Sequence, residues 1–176
     1  RLIKKFNLNI LVILTISLTL LSQACSTKKE TKQIAYLETR ASDPFEILAK
    51  SLSGKGVSKV KKIIVLTFLN QDGREHLLGP VFAEKLTTEL VKQKKMIVLD
   101  RLVYSKKLKD SGLSTIKNYD LAYLNNLGDL LGVDAIAIGI ISPSGKIGYD
   151  INCRIIDVKT GLILNAEEVY YTEAGD

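Results

Sequence analysis

Seven consecutive residues, Ile63-Ile64-Val65-Leu66-Thr67-Phe68-Leu69, are apolar or β-branched and leave no side of the segment for water. A run of this length and character forms a strand buried on both faces, inside a sheet that other elements cover. The flanking sequence supplies a helix to do so. Asn70-Gln71-Asp72-Gly73 ends the strand, and after Gly79-Pro80 the residues Phe82, Leu86 and Leu90 recur every four positions, predicting an amphipathic helix to about Lys92. Met96 to Leu99 predicts a second short buried strand. A helix between two such strands implies a right-handed crossover with the strands parallel.

The pattern continues in both directions. Ser42-Asp43-Pro44-Phe45-Glu46 offers a capping side chain, Pro at the first helical position and a carboxylate in the first turn. A short helix from there to about Ser53 puts Phe45, Leu48 and Leu52 on one face, before a flexible Gly54-Lys55-Gly56. Asp100 or Ser105 opens a lysine-rich helix that stops near Asp110-Ser111-Gly112. Another helix starts at about Tyr119, with Leu121, Leu124, Leu127, Leu130 and Leu131 as its stripe and Gly132 as its cap.

Ala135 to Ile141 is a further buried strand, turned by Ser142-Pro143-Ser144-Gly145. Ile147, Tyr149, Ile151, Cys153 and Ile155 then alternate with Gly148, Asp150, Asn152 and Arg154, the period of a strand with one wet face. Asp157-Val158-Lys159-Thr160-Gly161 is a tight connection to a last strand, Leu162 to about Tyr171. The expected fold is a single α/β domain of two or three layers. Its mixed sheet has a parallel βαβ core and a C-terminal antiparallel hairpin.

The N-terminus has a different grammar. Arg1, Lys4 and Lys5 precede an apolar run from Ile10 to Leu21, then Ser22-Gln23-Ala24 and Cys25. A basic start, a short apolar stretch and small residues before a cut site make an export signal. A cysteine directly after the cut is a lipid acceptor, so the expected organisation is a lipoprotein signal peptide over 1–24, a tether over 25–41 and a folded domain over 42–176. Leu21 lies four residues before Cys25 instead of three, and Ser22-x-Ala24 also suits the ordinary signal peptidase, so plain secretion stays open. A retained anchor is the third option, although twelve apolar residues fall short of the roughly 20 that span a bilayer. Residues 26–41, rich in Ser, Thr, Lys and Glu, have the composition of a linker.

Export changes the meaning of the charge. Removing residues 1–24 takes away three cations and no anion, so a formal +6 becomes +3. The remaining lysines are scattered without interleaved aromatics, and an exported protein meets no nucleic acid. Of the two cysteines, Cys25 is assigned to lipid, which leaves Cys153 as a small apolar residue inside a strand.

Catalytic chemistry finds little to work with. The one histidine, His76, sits in the polar loop Asp72-Gly73-Arg74-Glu75-His76, and one His with one strand-borne Cys cannot build a four-ligand zinc site. Gly54-Lys55-Gly56 lacks the spacing of a phosphate loop and precedes its strand. Asp100, Asp134 and Asp157 stand beside strand ends, where clefts form in α/β sheets. Each also has a structural reading, as helix cap, αβ turn and hairpin opener respectively. No catalytic residue, metal or cofactor is assigned; Cys25 is the single residue given a chemical role.

Several segments in order carry a family resemblance: Lys62 to Phe68, Leu78-Gly79, Val98-Leu99-Asp100-Arg101, Leu131-Gly132-Val133-Asp134-Ala135 with Ile138-Gly139, and Arg154-Ile155-Ile156-Asp157-Val158-Lys159-Thr160-Gly161. From about Pro44 to Tyr171 the chain resembles the superfamily of envelope lipoprotein domains that includes FlgO, CsgG and LpoB, with a fold like the N-terminal domain of TolB. The resemblance implies a non-enzymatic protein, lipid-anchored on the periplasmic face of the outer membrane, whose partner is envelope machinery. FlgO, a flagellar assembly lipoprotein, is the member it resembles most, through the helix before the first strand and the size. The alternative it implies is an LpoB-like activator of a penicillin-binding protein; a CsgG-like secretion pore would need membrane-spanning hairpins as well.

Overall fold

The computed structural model describes residues 43–113 and 120–172. The expected signal peptide and tether, with Cys25, and also Ser42 and Tyr119, lie outside the described residues. The elements are α1 (Pro44–Leu52), β1 (Lys62–Val65), β2 (Leu69–Asn70), α2 (Gly79–Gln93), β3 (Ile97–Val98), α3 (Arg101–Asp110), α4 (Leu121–Leu131), β4 (Ala135–Ser144), β5 (Gly148–Asp157) and β6 (Ile163–Thr172), with a 3-10 turn at Lys55–Val57.

The strands form one mixed sheet in the order β3-β1-β4-β5-β6, with β2 also against β4. β1 pairs parallel with both β3 and β4, whereas β5 pairs antiparallel with both β4 and β6. α1 and α2 cover one face, where Phe45, Leu52, Phe82, Leu86 and Leu90 meet Ile63, Val65, Ala137, Ile151 and Cys153. α3 and α4 cover part of the other, where Tyr104, Leu108, Leu124 and Leu127 meet Ile64, Leu66, Ile136 and Ile138. This is the three-layer form of the expected α/β class.

Caps place the helices. Asp43 caps α1 by accepting from the Phe45 N–H at 2.9 Å. Asp100 accepts from Leu102 N–H at 2.8 Å, and Asp120 from Tyr123 N–H at 2.8 Å. α4 ends at Gly132, whose φ of 62° is the left-handed geometry that glycine adopts without cost.

Four details differ from the sequence reading. The apolar run breaks after Val65, because the Phe68 ring drops over Gly139 and the Phe68 N–H turns to the Gly79 carbonyl at 3.3 Å. β3 is an edge strand, not a buried one: only Met96 is enclosed, and Ile97 is 64% exposed. Ser142-Pro143-Ser144 continue β4 instead of turning, since β2 ends opposite Ile141 and leaves that side of β4 without a strand partner among the described residues, where Pro143 is tolerated. Gly54-Lys55-Gly56 is not a free hinge. A Cβ on Gly56 would fall 2.2 Å from the Leu164 carbonyl oxygen, so the turn packs directly on β6.

Gly139 carries a test. A Cβ there would lie 2.2 Å from the Phe68 ring, and both residues are buried. Gly139→Ala is expected to cost about 1–3 kcal/mol by overpacking. A urea midpoint should show the loss, with Phe68→Leu in the same chain restoring part of it.

Candidate functional site

α3 and α4 cover only the β1 side of their face, so the hairpin beyond them is open. Along β4 the row runs Ile136, Ile138, Ile140 and Ser142, from buried to partly exposed. Beside it on β5 stand Ile156, Arg154, Asn152, Asp150 and Gly148. Across from these on β6 stand Ala166, Glu168, Tyr170 and Thr172, all exposed. The alternation of β5 places these residues outward by the same period that buries Ile151, Cys153 and Ile155.

The open face has three zones. At one end Leu121, Leu162 and Ile163 are exposed, with Leu121 alongside Gly161 and Ile163 paired to Ile156. In the middle Arg154 Nε donates to Asn152 Oδ1 at 3.1 Å, and Asn152 Nδ2 donates to Glu168 Oε2 at 3.4 Å. At the far end Tyr170, 51% exposed, lies over Gly148, where a Cβ would be 2.2 Å from its hydroxyl. Arginine and tyrosine are the side chains enriched at binding hot spots.

β6 is also the outer strand of the sheet, ten residues long and free of proline. Such an edge offers backbone donors and acceptors to another extended chain. Its inner side is fixed to α1: Ser51 Oγ donates to Glu167 Oε2 at 2.5 Å, and Asn165 Nδ2 donates to the Ser51 and Leu52 carbonyls at 2.9 and 3.2 Å. Glu167 and Glu168 at its centre would oppose each other's copies in a centred antiparallel self-pairing.

Of the three strand-end carboxylates, Asp134 and Asp157 line one cleft and Asp100 does not. Asp100 is spent on its helix cap. Asp134 Oδ2 accepts from the backbone N–H groups of Lys61 and Lys62 at 2.8 and 2.9 Å, tying the start of β1 to β4, which is more than the turn role read from the sequence. Asp157 Oδ1 accepts from the N–H groups of Lys159 and Thr160 and from the Thr160 hydroxyl, all within 2.9 Å. Burial alone would raise the Asp157 pKa, but the Thr160 and Lys159 hydrogen bonds outweigh it and hold the carboxyl below its ordinary value.

His76 is not a freely solvated loop residue. Its Nδ1 accepts from Leu78 N–H at 3.0 Å and its ring stands edge-on to Tyr149 at 5.4 Å. Among the described residues no group of three His, Cys, Asp or Glu side chains is placed to hold a metal ion. No helix among them is long and apolar enough to cross a membrane.

Cys153 is fully buried, and desolvation pushes its thiol pKa up to about 12. The thiolate needed for alkylation is then scarce at pH 8. Iodoacetamide is expected to leave Cys153 unmodified in the folded protein and to modify it fully in urea, read on the peptide that contains it.

Compared with solved structures, the described fold has clear counterparts. The LpoB C-terminal domain from Escherichia coli superposes with a TM-score of 0.59 at 15% identity, covering 74% of this chain and 96% of that one. The fold resembles that of an LpoB C-terminal domain. The corresponding domain from Salmonella enterica gives a TM-score of 0.58, also at 15% identity and with the same coverage. A lipoprotein from Neisseria meningitidis gives 0.52 at 18% identity, covering 65% of this chain and 81% of that one. No family model matches the sequence, and no curated protein matches it. The sequence reading named the fold group but missed the open face, because α3 and α4 could not be assigned to one half of the sheet. The alternating polar residues of β5 were its one visible signal.

Proposed function

We propose that this chain is a non-enzymatic lipoprotein of the cell envelope, held on the periplasmic face of the outer membrane by lipid on Cys25. Its α/β domain is a protein-binding module that acts as LpoB does, by contacting a penicillin-binding protein. The observation that carries this reading is the LpoB-like fold with its exposed Arg154–Asn152–Glu168 and Tyr170 face. It replaces the flagellar role as the first choice. The FlgO-like role is kept as the second reading on one observation: residues 26–41 reach at most about 55 Å when extended, which suits a partner close to the anchor.

Deleting the gene separates the two. Hypersensitivity to β-lactams with normal swimming is expected; lost motility with unchanged β-lactam tolerance would transfer the assignment to flagellar assembly. The anchor has its own test. Metabolic labelling with a fatty-acid analogue should tag the wild-type chain and not Cys25→Ser, and label retained by that variant would end the lipidation claim.

A further inference from the structure

The end of the sheet where β1 and β3 begin and β5 finishes collects lysines from three separate segments, 55–62, 94–95 and 159. Lys61 and Lys62 open β1, and the Lys61 carbonyl accepts from Ile97 N–H at 2.8 Å, which brings Lys94 and Lys95 alongside. Lys55 belongs to the 3-10 turn against Leu164. Lys59 and Lys159 line a cleft of about 410 Å³ together with Asp134 and Asp157. All but Lys62, which is half-buried, are exposed. None of the seven forms an ion pair among the described residues, where the cations that do are Arg74, Lys92 and Arg101.

The two carboxylates in the cleft offset part of this charge, Asp157 acting on Lys159, but two anions leave the seven lysines in excess. Through Asp134 Oδ2 and Asp157 Oδ1 they also brace the loops that carry the lysines.

We infer that this lysine-rich end is a second docking surface, distinct from the open face, and that its occupant is an acidic segment of a protein partner. Charge complementarity selects an anionic ligand, because clustered unpaired cations raise the local concentration of one and speed its capture. Shape selects a protein over a bilayer: the cleft of about 410 Å³ beside Lys59 and Lys159 admits the side chains of an extended segment, which a flat headgroup surface does not supply.

The test uses the full chain, extracted in non-ionic detergent, and a fluorescein-labelled decaglutamate peptide read by anisotropy. Lys59→Glu, Lys61→Glu, Lys94→Glu and Lys95→Glu combined should weaken binding at least ~10-fold, given up to a few-fold per exposed charge pair. The corresponding Lys→Gln set should give a smaller loss in the same direction. The triple variant Lys106→Glu, Lys107→Glu and Lys109→Glu on α3 should stay within about twofold of wild type. An equal loss in the α3 variant would overturn the assignment, since net charge alone would then explain binding. Tighter binding to a duplex oligonucleotide than to the peptide, or lysine-dependent binding to phosphatidylglycerol vesicles without peptide binding, would also overturn it. None of these arms depends on lipid at Cys25, so the anchor reading and this one can fail separately.

Discussion

Phe82→Ala is expected to cost about 3–5 kcal/mol of domain stability, a large share of the roughly 5–15 kcal/mol that holds a domain of this size. The ring is 1% exposed and sits where three elements meet. Its centroid is 5.1 Å from Phe45 on α1, 4.8 Å from Tyr171 on β6 and 6.4 Å from Phe68 beside β2. Tilted and edge-on pairs of this kind contribute beyond the area they bury. Removing the ring therefore leaves a cavity and breaks three aromatic contacts at once. Lys85 spans the same cluster, 5.5 Å above Phe45 and 5.8 Å above Tyr171, and loses its support when the rings shift. A urea titration followed by far-UV circular dichroism should give a much lower midpoint. Phe82→Leu should retain most of the stability, because it refills much of the volume.

The consequence reaches function through β6. That strand is secured by β5 on one side and by α1 on the inner face, through Ser51–Glu167 and Asn165. Phe82 is what presses α1 and Tyr171 together. A loosened α1 would leave the open edge less defined, so partner binding should fall in Phe82→Ala even at temperatures where the sheet survives.

How much of this was legible from the sequence depends on the distance over which each interaction acts. Helix starts at Asp43 and Asp100 were readable because a cap is made within two residues of its donor. The period-two pattern of β5 was readable because a strand buries every second residue whatever it pairs with. The break at Leu66–Phe68 was not, since its cause is Gly139, seventy residues on. Nor was the exposure of Ile97: hydrophobicity marked a strand, but only sheet order shows that β3 is at an edge. The lysine end escaped for the same reason. Lys59, Lys94 and Lys159 looked scattered in the chain, and only the pairing of β1, β3, β4 and β5 brings them together.

Arg154→Glu combined with Tyr170→Ala is expected to weaken binding to the penicillin-binding protein proposed above as partner by ~30-fold or more, since arginine and tyrosine anchors at hot spots each carry on the order of 2 kcal/mol. Stability should change little, because both side chains are exposed and neither supports the core. Titration calorimetry with that purified protein measures the first effect and thermal melting the second. Gly148→Ala tells position from presence. It keeps the Tyr170 ring but denies it the space over Gly148, where the added carbon would stand 2.2 Å from the hydroxyl. If the face works through a preset Tyr170, Gly148→Ala should lose part of the affinity that the double variant loses. Unchanged affinity in both variants would remove the open face from the interface and leave the β6 edge and the lysine end to carry it.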